Sequence, residues 1–121
     1  MERIFLCFPE FKTKAVTLSY DAAARQDKRL IDIMKTYGLR GTFNVNSGLF
    51  ANRYNGVEKG QMTRDEALKL YVQEGKEVAI HGYQHISLAK VEPSFATFDV
   101  INDRKELECM FGIILAQSLF T

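Results

Sequence analysis

The stretch EVAIHGYQH, residues 77–85, consists of an apolar segment, Glu77–Ile80, followed by a segment that begins and ends with a histidine. Its first four residues, Glu77–Ile80, have the length and composition of a buried strand in a parallel sheet. His81 and His85 are the only histidines of the chain. His81 comes directly after that strand, and His85 follows four residues later. Because neutral imidazole is the commonest metal ligand among side chains, this stretch predicts a strand that ends at a candidate metal site.

An earlier strand also ends at a polar residue. Residues 15–20, AVTLSY, are apolar and β-branched enough for a buried strand, and Asp21 follows them. Residues 22–37 favour a helix, and Gly38 is a natural residue for its end. The apolar stripe of that helix consists of Leu30, Ile31, Met34 and Tyr37.

The middle of the chain repeats this order of strand and helix. Residues 41–46, GTFNVN, alternate polar and apolar side chains with the period of two that is typical of a strand. A polar loop follows at residues 47–61. Thr63 and Glu66 have the spacing of a capping box, which predicts a helix from there to about residue 74.

A third helix is predicted between residues 94 and 111, after the histidines. Its apolar faces would be formed by Phe98, Ile101, Leu107, Met110 and Phe111. The alternation of strands and helices indicates an α/β fold with parallel strands joined by right-handed crossovers. Parallel strands have their carboxyl ends on one side of the sheet, where α/β proteins bind ligands. We therefore expect the polar residues at the strand ends on one face, namely Asp21, Asn46, His81 and His85.

The overall composition is that of an ordinary globular protein. The chain has 121 residues, 46% hydrophobic and 26% charged, which fits a single domain. Lys and Arg number 16 against 15 Asp and Glu, so no basic field favours nucleic acid or an anionic membrane as a partner. The apolar run near the N-terminus is too short for a signal peptide or a membrane span, which predicts a cytoplasmic protein or a chain that lacks its original start. Cys7 and Cys109 form no close pair, and both are expected to be reduced and packed.

Three segments together resemble the polysaccharide deacetylase family, carbohydrate esterase family 4. They are VTLSYD at residues 16–21, YGLRGTFN at residues 37–44 and EVAIHGYQH at residues 77–85. The first family motif is an aromatic residue followed by Asp-Asp-Gly, and the second is His-(Ser/Thr)-x-x-His. The order and spacing of the segments make the match more specific than either motif alone. The resemblance covers about residues 15–112 and implies a partial (β/α) barrel with parallel strands.

The same resemblance implies a metal-dependent hydrolase. In the family, the first Asp of the first motif is the general base, and the second Asp and the two histidines bind a divalent metal, often zinc. Matched position by position, Asp21 resembles the base, and His81 and His85 resemble metal ligands. The implied reaction removes acyl groups, typically acetyl, from carbohydrate amides or esters with a metal-activated water. Some relatives hydrolyse other carbon–nitrogen bonds, so the expected partner is a carbohydrate or another small acylated substrate.

Three positions depart from the family motifs. Ala22 and Ala23 replace the second Asp and the Gly of the first motif, so two ligands remain where a catalytic zinc usually has three. The lost ligand is the anionic one. Metal affinity should therefore fall by more than the roughly 10- to 100-fold loss that is typical when a residue supporting a ligand is changed. Gly82 replaces the Ser or Thr of the second motif, a change that a turn accommodates.

The C-terminal residues 112–121 match none of the later family motifs, which predicts that residues 1–121 form a single, truncated domain. A barrel cut halfway has an unpaired sheet edge and an open apolar face. Both features favour self-association through the open barrel edge.

Less specific explanations also fit the candidate residues. Two histidines four residues apart, without other context, are more often packed or solvated than bound to a metal. Asp21 equally suits the N-cap of the helix that follows it, a role compatible with catalysis. The sequence thus leaves two classes of function. One is a metal-dependent deacetylase, and the other is a catalytically inactive remnant of that fold with at most weak metal or sugar binding.

Overall fold

The computed structural model describes residues 6–21, 23–51, 60–112 and 116–117. The strands are β1 (Ser19–Asp21), β2 (Thr42–Val45), β3 (Glu77–Ile80) and β4 (Ala116–Gln117). The helices are α1 (Asp27–Thr36), α2 (Arg64–Gln73) and α3 (Pro93–Phe111). Short 3-10 turns lie at Pro9–Phe11, Ser47–Leu49 and Leu88–Lys90.

All four strands belong to one parallel sheet with the order β1-β2-β3-β4. Asp21 pairs with Asn44 in the register of β1 and β2, and Val45 pairs with Ile80 in that of β2 and β3. Each of the first three strands is followed by a helix. The predicted α/β fold with parallel strands is therefore confirmed. The short strand β4 lies in a segment for which the sequence predicted no element.

A series of aromatic contacts joins the sheet to the helices. Tyr20 of β1 stacks on Phe43 of β2, with ring centroids 5.8 Å apart. Phe43 contacts Tyr71 of α2 at 5.1 Å, and Tyr71 contacts Phe111 of α3 at 6.5 Å. Buried aromatic rings contribute a large part of the energy of a small core. These contacts pack α2 against β2 and α3 against α2.

The second helix begins where the capping box predicts. The Thr63 hydroxyl accepts a hydrogen bond from the Glu66 amide at 3.2 Å, and the Glu66 carboxylate accepts one from the Thr63 amide at 2.8 Å. Both bonds satisfy backbone donors that have no partner inside the helix.

The beginning of the first strand is predicted wrongly. β1 begins at Ser19 rather than residue 15, and Val16 is 87% exposed. β1 is at the edge of the described sheet, so one neighbour alone pairs with it there, and the β-branched residues before it gain no burial. Cys7 and Cys109 are free as expected, but both are exposed rather than packed.

The third helix buries only part of its predicted apolar set: Leu107 is buried, and Met110 and Phe111 pack against the core. Phe98 and Ile101 are 66% and 58% exposed. The side that faces the protein carries Asp99, Asp103 and Leu107, all buried. None of the helices in the described residues is both long and apolar enough to cross a membrane.

Candidate metal centre

The two histidines come together just past the end of β3. The ring centroids of His81 and His85 are 5.1 Å apart, with their planes at 55°. The His81 side chain is only 1% exposed, whereas His85 is exposed. The chain bends at residues 83–84, and Gly82 (φ +88°) and His85 (φ +54°) both have left-handed backbone angles. His81 thus forms the buried side of the pair and His85 its open side.

Asp21, at the end of β1, reaches the same place from the other side of β2. Its Oδ2 lies 3.7 Å from Nε2 of His81, which is too far for a hydrogen bond. Its Oδ1 accepts a hydrogen bond from Nδ2 of Asn44 at 2.8 Å. Asn44 therefore fixes one carboxylate oxygen, and the other oxygen is the one nearer the imidazole. The predicted approach of Asp21, His81 and His85 at one rim of the sheet is found.

Both ring nitrogens of the buried His81 are left without a partner by the described residues around it. Neither Nδ1 nor Nε2 of His81 has a hydrogen-bond partner among the described residues. Buried polar atoms of this kind cost free energy unless something binds them, and a neutral imidazole suits zinc. The described residues nevertheless contain no group of three or more His, Cys, Asp or Glu side chains arranged to hold a metal ion. The donors present therefore fit a divalent ion as a two-histidine set that lacks a third ligand.

Asn46, directly after β2, forms hydrogen bonds with the backbone of the segment that carries the histidines. It is 3% exposed, and its Nδ2 donates to the backbone oxygens of His81 at 2.9 Å and Gly82 at 2.7 Å. This contact explains the polar residue at a buried strand end. Asn44 and Asn46 both support the site from β2, as side chains that hold other residues in position.

Two buried carboxylates of α3 belong to the same region and were not found from the sequence. Asp103 is completely buried, and its Oδ2 accepts a hydrogen bond from the His81 amide at 3.0 Å. Asp99 is 4% exposed, and its two oxygens accept from the amides of Tyr83 at 2.9 Å and Gln84 at 3.1 Å. The available signal was their spacing of four residues in line with the buried Leu107, a pattern that places acidic residues on the core side of a helix.

The electrostatics of Asp103 reflect two opposing causes. Burial raises the pKa of its carboxyl, and hydrogen bonds from Ser47, His81 and Gly82 partly offset that rise. A buried carboxylate that accepts several backbone amides is fixed in position, since each bond would be lost if it moved.

A cavity away from this site lies among the described residues. It has a volume of about 790 Å³ and is lined mainly by residues 16–18, 38–42 and 74–77, at the opposite end of the strands. Its lining contains none of the three candidate site residues.

A protein-family model described as polysaccharide deacetylase matches residues 9–119 of the chain. No curated protein matches the chain significantly. The Streptococcus pyogenes deacetylase PplD, in complex with acetate, has a TM-score of 0.73 and 20% sequence identity. That alignment covers 88% of this chain and 45% of the deacetylase.

Two further similar structures share the fold at lower identity. The family 4 carbohydrate esterase from Streptomyces lividans, in complex with acetate, has a TM-score of 0.64 and 17% identity over 83% of this chain and 47% of the esterase. A mutant of BA3943, described as a CE4 family pseudoenzyme with restored enzymatic activity, has a TM-score of 0.63 and 17% identity. Its alignment covers 82% of this chain and 33% of that chain. The chain therefore spans less than half the length of each of these structures.

Proposed function

This chain belongs to the polysaccharide deacetylase family, and we propose that His81 and His85 are the metal ligands, and Asp21 the base, of a hydrolytic site for acylated carbohydrate. The observation that carries the proposal is the buried His81 ring. Both of its nitrogens lack a protein partner among the described residues, beside a second imidazole and 3.7 Å from a carboxylate oxygen.

A divalent ion such as zinc would polarise an acyl carbonyl at this site and lower the pKa of water toward neutrality. Asp21 would take the proton from that water. Its Oδ1 is already engaged by Asn44, so the proton would be held at Oδ2, the oxygen nearer His81. The exposed His85 leaves this side of the pair open for a substrate to approach.

The substrate class follows from the family and from two of the similar structures. The Streptococcus deacetylase and the Streptomyces esterase both contain acetate, the acid that hydrolysis of an acetyl group releases. We therefore propose an acetylated carbohydrate as the substrate for this site.

A catalytically inactive site is the second candidate, and Ala22 favours it. The family motif has a carboxylate at this position, and Ala22 itself lies outside the described residues. Three protein ligands are usual for catalytic zinc, and the described residues offer no such set. The BA3943 mutant, described as a CE4 family pseudoenzyme with restored enzymatic activity, is a similar structure for which inactivity is part of the description. We expect weak zinc binding and no deacetylase turnover by the chain with Ala22.

Isothermal titration with zinc tests the proposal. Ala22→Asp supplies an anionic third ligand, so it should strengthen zinc binding by at least ~10-fold. His81→Ala should weaken binding in both backgrounds. Ala15→Asp is the matched control, because it makes the same change of residue and charge before β1, at an exposed position away from the histidines. It should leave the affinity unchanged.

Two results would contradict the proposal in different ways. Wild type binding zinc as tightly as Ala22→Asp would mean that another residue completes the site. No gain in Ala22→Asp together with no loss in His81→Ala would mean that the histidines form no metal site in this chain.

A further inference from the structure

The backbone between the two histidines has a conformation that the chain does not favour by itself. Gly82 has φ +88° and His85 has φ +54°, both in the left-handed region. Glycine adopts such angles easily, but a residue with a Cβ does so at a cost. The two imidazole rings, 5.1 Å apart, are carried at the two ends of this segment. Something outside the segment must therefore stabilise it.

The carboxylates of α3 supply that stabilisation. Asp103 and Asp99 accept the amides of His81, Tyr83 and Gln84, with donor–acceptor distances of 2.9–3.1 Å. Hydrogen bonds to a charged acceptor are stronger than those between neutral groups. The backbone of residues 81–84 is thus anchored to one helix through the amides of His81, Tyr83 and Gln84.

Asp103 also links this segment to the end of the neighbouring strand. Its Oδ1 accepts hydrogen bonds from the backbone amide of Ser47 at 2.7 Å and from the Ser47 hydroxyl at 2.5 Å. Ser47 lies two residues beyond the end of β2. One carboxylate therefore holds together the ends of β2 and β3, between which the site is formed.

The fit between Asp99 and the segment is close. A Cβ added to Gly82 would lie 2.8 Å from Oδ2 of Asp99, well inside normal contact. Neither Asp99 nor Asp103 has a hydrogen bond to an imidazole nitrogen of His81. Both act on the backbone, so any effect on the rings passes through the backbone of residues 81–85.

We propose that Asp99 and Asp103 are positioning residues for the His81–His85 pair, holding the backbone so that the two imidazoles converge on one ion. The proposal rests on the proposed function, since it takes the pair to be metal ligands. It also predicts an effect that is visible without metal, because the rings would separate when the anchored backbone relaxes.

The test uses Asp99→Asn and Asp103→Asn in the whole chain, with and without Ala22→Asp. Asparagine keeps the shape of the side chain but replaces one acceptor oxygen by an NH2 donor. In either orientation this donor faces a group that now donates to the carboxylate, either a backbone amide or, at Asp103, the amide and hydroxyl of Ser47. Asp65→Asn is the control, because it removes the same charge from an exposed position in α2. Chemical unfolding of each variant establishes that it is folded under the conditions of the titration.

Two readouts are measured on the folded variants. Zinc affinity should fall by about 10- to 100-fold in Asp99→Asn and Asp103→Asn, the range typical for residues that orient a metal ligand, and should not change in Asp65→Asn. In metal-free protein, the NMR contacts between the His81 and His85 rings should weaken in the same two variants. A purely stabilising role would lower the free energy of unfolding without changing either readout.

The outcomes separate this proposal from the proposed function. If folded Asp99→Asn and Asp103→Asn match Asp65→Asn in zinc affinity and ring contacts, while His81→Ala loses affinity, the positioning role is wrong and the metal site stands. If His81→Ala loses no affinity, the proposed function fails, and the positioning role fails with it. Should Asp103→Asn not fold, Asp99→Asn decides alone, since it leaves the link to Ser47 intact.

Discussion

Replacing Gly82 by alanine should destabilise the fold more than the same change at another left-handed glycine. Gly82 has φ +88°, and its added Cβ would lie 2.8 Å from the Asp99 carboxylate. Gly75 has φ +57°, and a Cβ there would meet nothing within 4 Å. Comparing Gly82→Ala with Gly75→Ala therefore separates the cost of the backbone angle from the cost of the contact with Asp99.

The expected magnitudes follow from these two contributions. A left-handed angle costs an L-residue about 1–2 kcal/mol, and this cost applies to both Gly82→Ala and Gly75→Ala. Asp99 can yield to the new Cβ only by weakening a hydrogen bond from an amide to its charged carboxylate, which costs a further 1.5–3 kcal/mol or so. We expect about 1–2 kcal/mol for Gly75→Ala and roughly 2.5–5 kcal/mol for Gly82→Ala.

Urea unfolding of wild type and both variants measures the difference. Equal losses for Gly75→Ala and Gly82→Ala would refute the reasoning, because they would mean that Asp99 does not constrain the segment. The Ser or Thr that the family motif places at this position should be no better tolerated than alanine. The sequence suggested only that a glycine is easily accommodated here, whereas the φ angle and the Asp99 contact indicate that it is required.

Two further predictions concern the helices. Thr63→Ala removes the hydroxyl that caps α2 and should lower the free energy of unfolding by about 1 kcal/mol. The control is Thr97→Ala, at an exposed site inside α3, which should lower it by less. Equal effects of the two variants in urea unfolding would contradict the capping role. Burial raises the pKa of Asp27, a rise that the Tyr71 hydrogen bond partly offsets. The stability that this group contributes is therefore present below its unfolded pKa, about 4, and is lost as pH rises through the folded value. Asp27→Asn should accordingly gain stability relative to wild type between about pH 4 and pH 7, and a difference that stays constant across that range would contradict this sign.

The sequence predicts best those features that depend on interactions between residues close together in the chain. The capping box of Thr63 and Glu66 is found as predicted, because its two hydrogen bonds join residues three apart. Glu77–Ile80 is also found with the predicted bounds, since a central strand is buried on both sides. Val16 was misassigned because its burial depends on whether another element covers the edge of the sheet, which local pattern does not reveal.

The residues of the candidate site also differ in whether the sequence could predict them. Asp21, His81 and His85 could be named because each follows a strand, and parallel strands bring their ends together. Asp99 and Asp103 could not, because their hydrogen bonds reach residues between 15 and 56 positions away. The apolar pattern of α3 did not indicate them either, since Phe98 and Ile101, which were expected in the core, face outward and the acidic residues face inward.

X-ray absorption at the zinc edge, on the whole wild-type chain loaded with zinc, tests the central claim most directly. The proposed ligand pair predicts two imidazole nitrogens at about 2.0–2.1 Å from the metal, with one of them lost in His81→Ala. A zinc shell without imidazole, or one containing sulfur at about 2.3 Å from Cys7 or Cys109, would contradict the assignment of His81 and His85 as metal ligands.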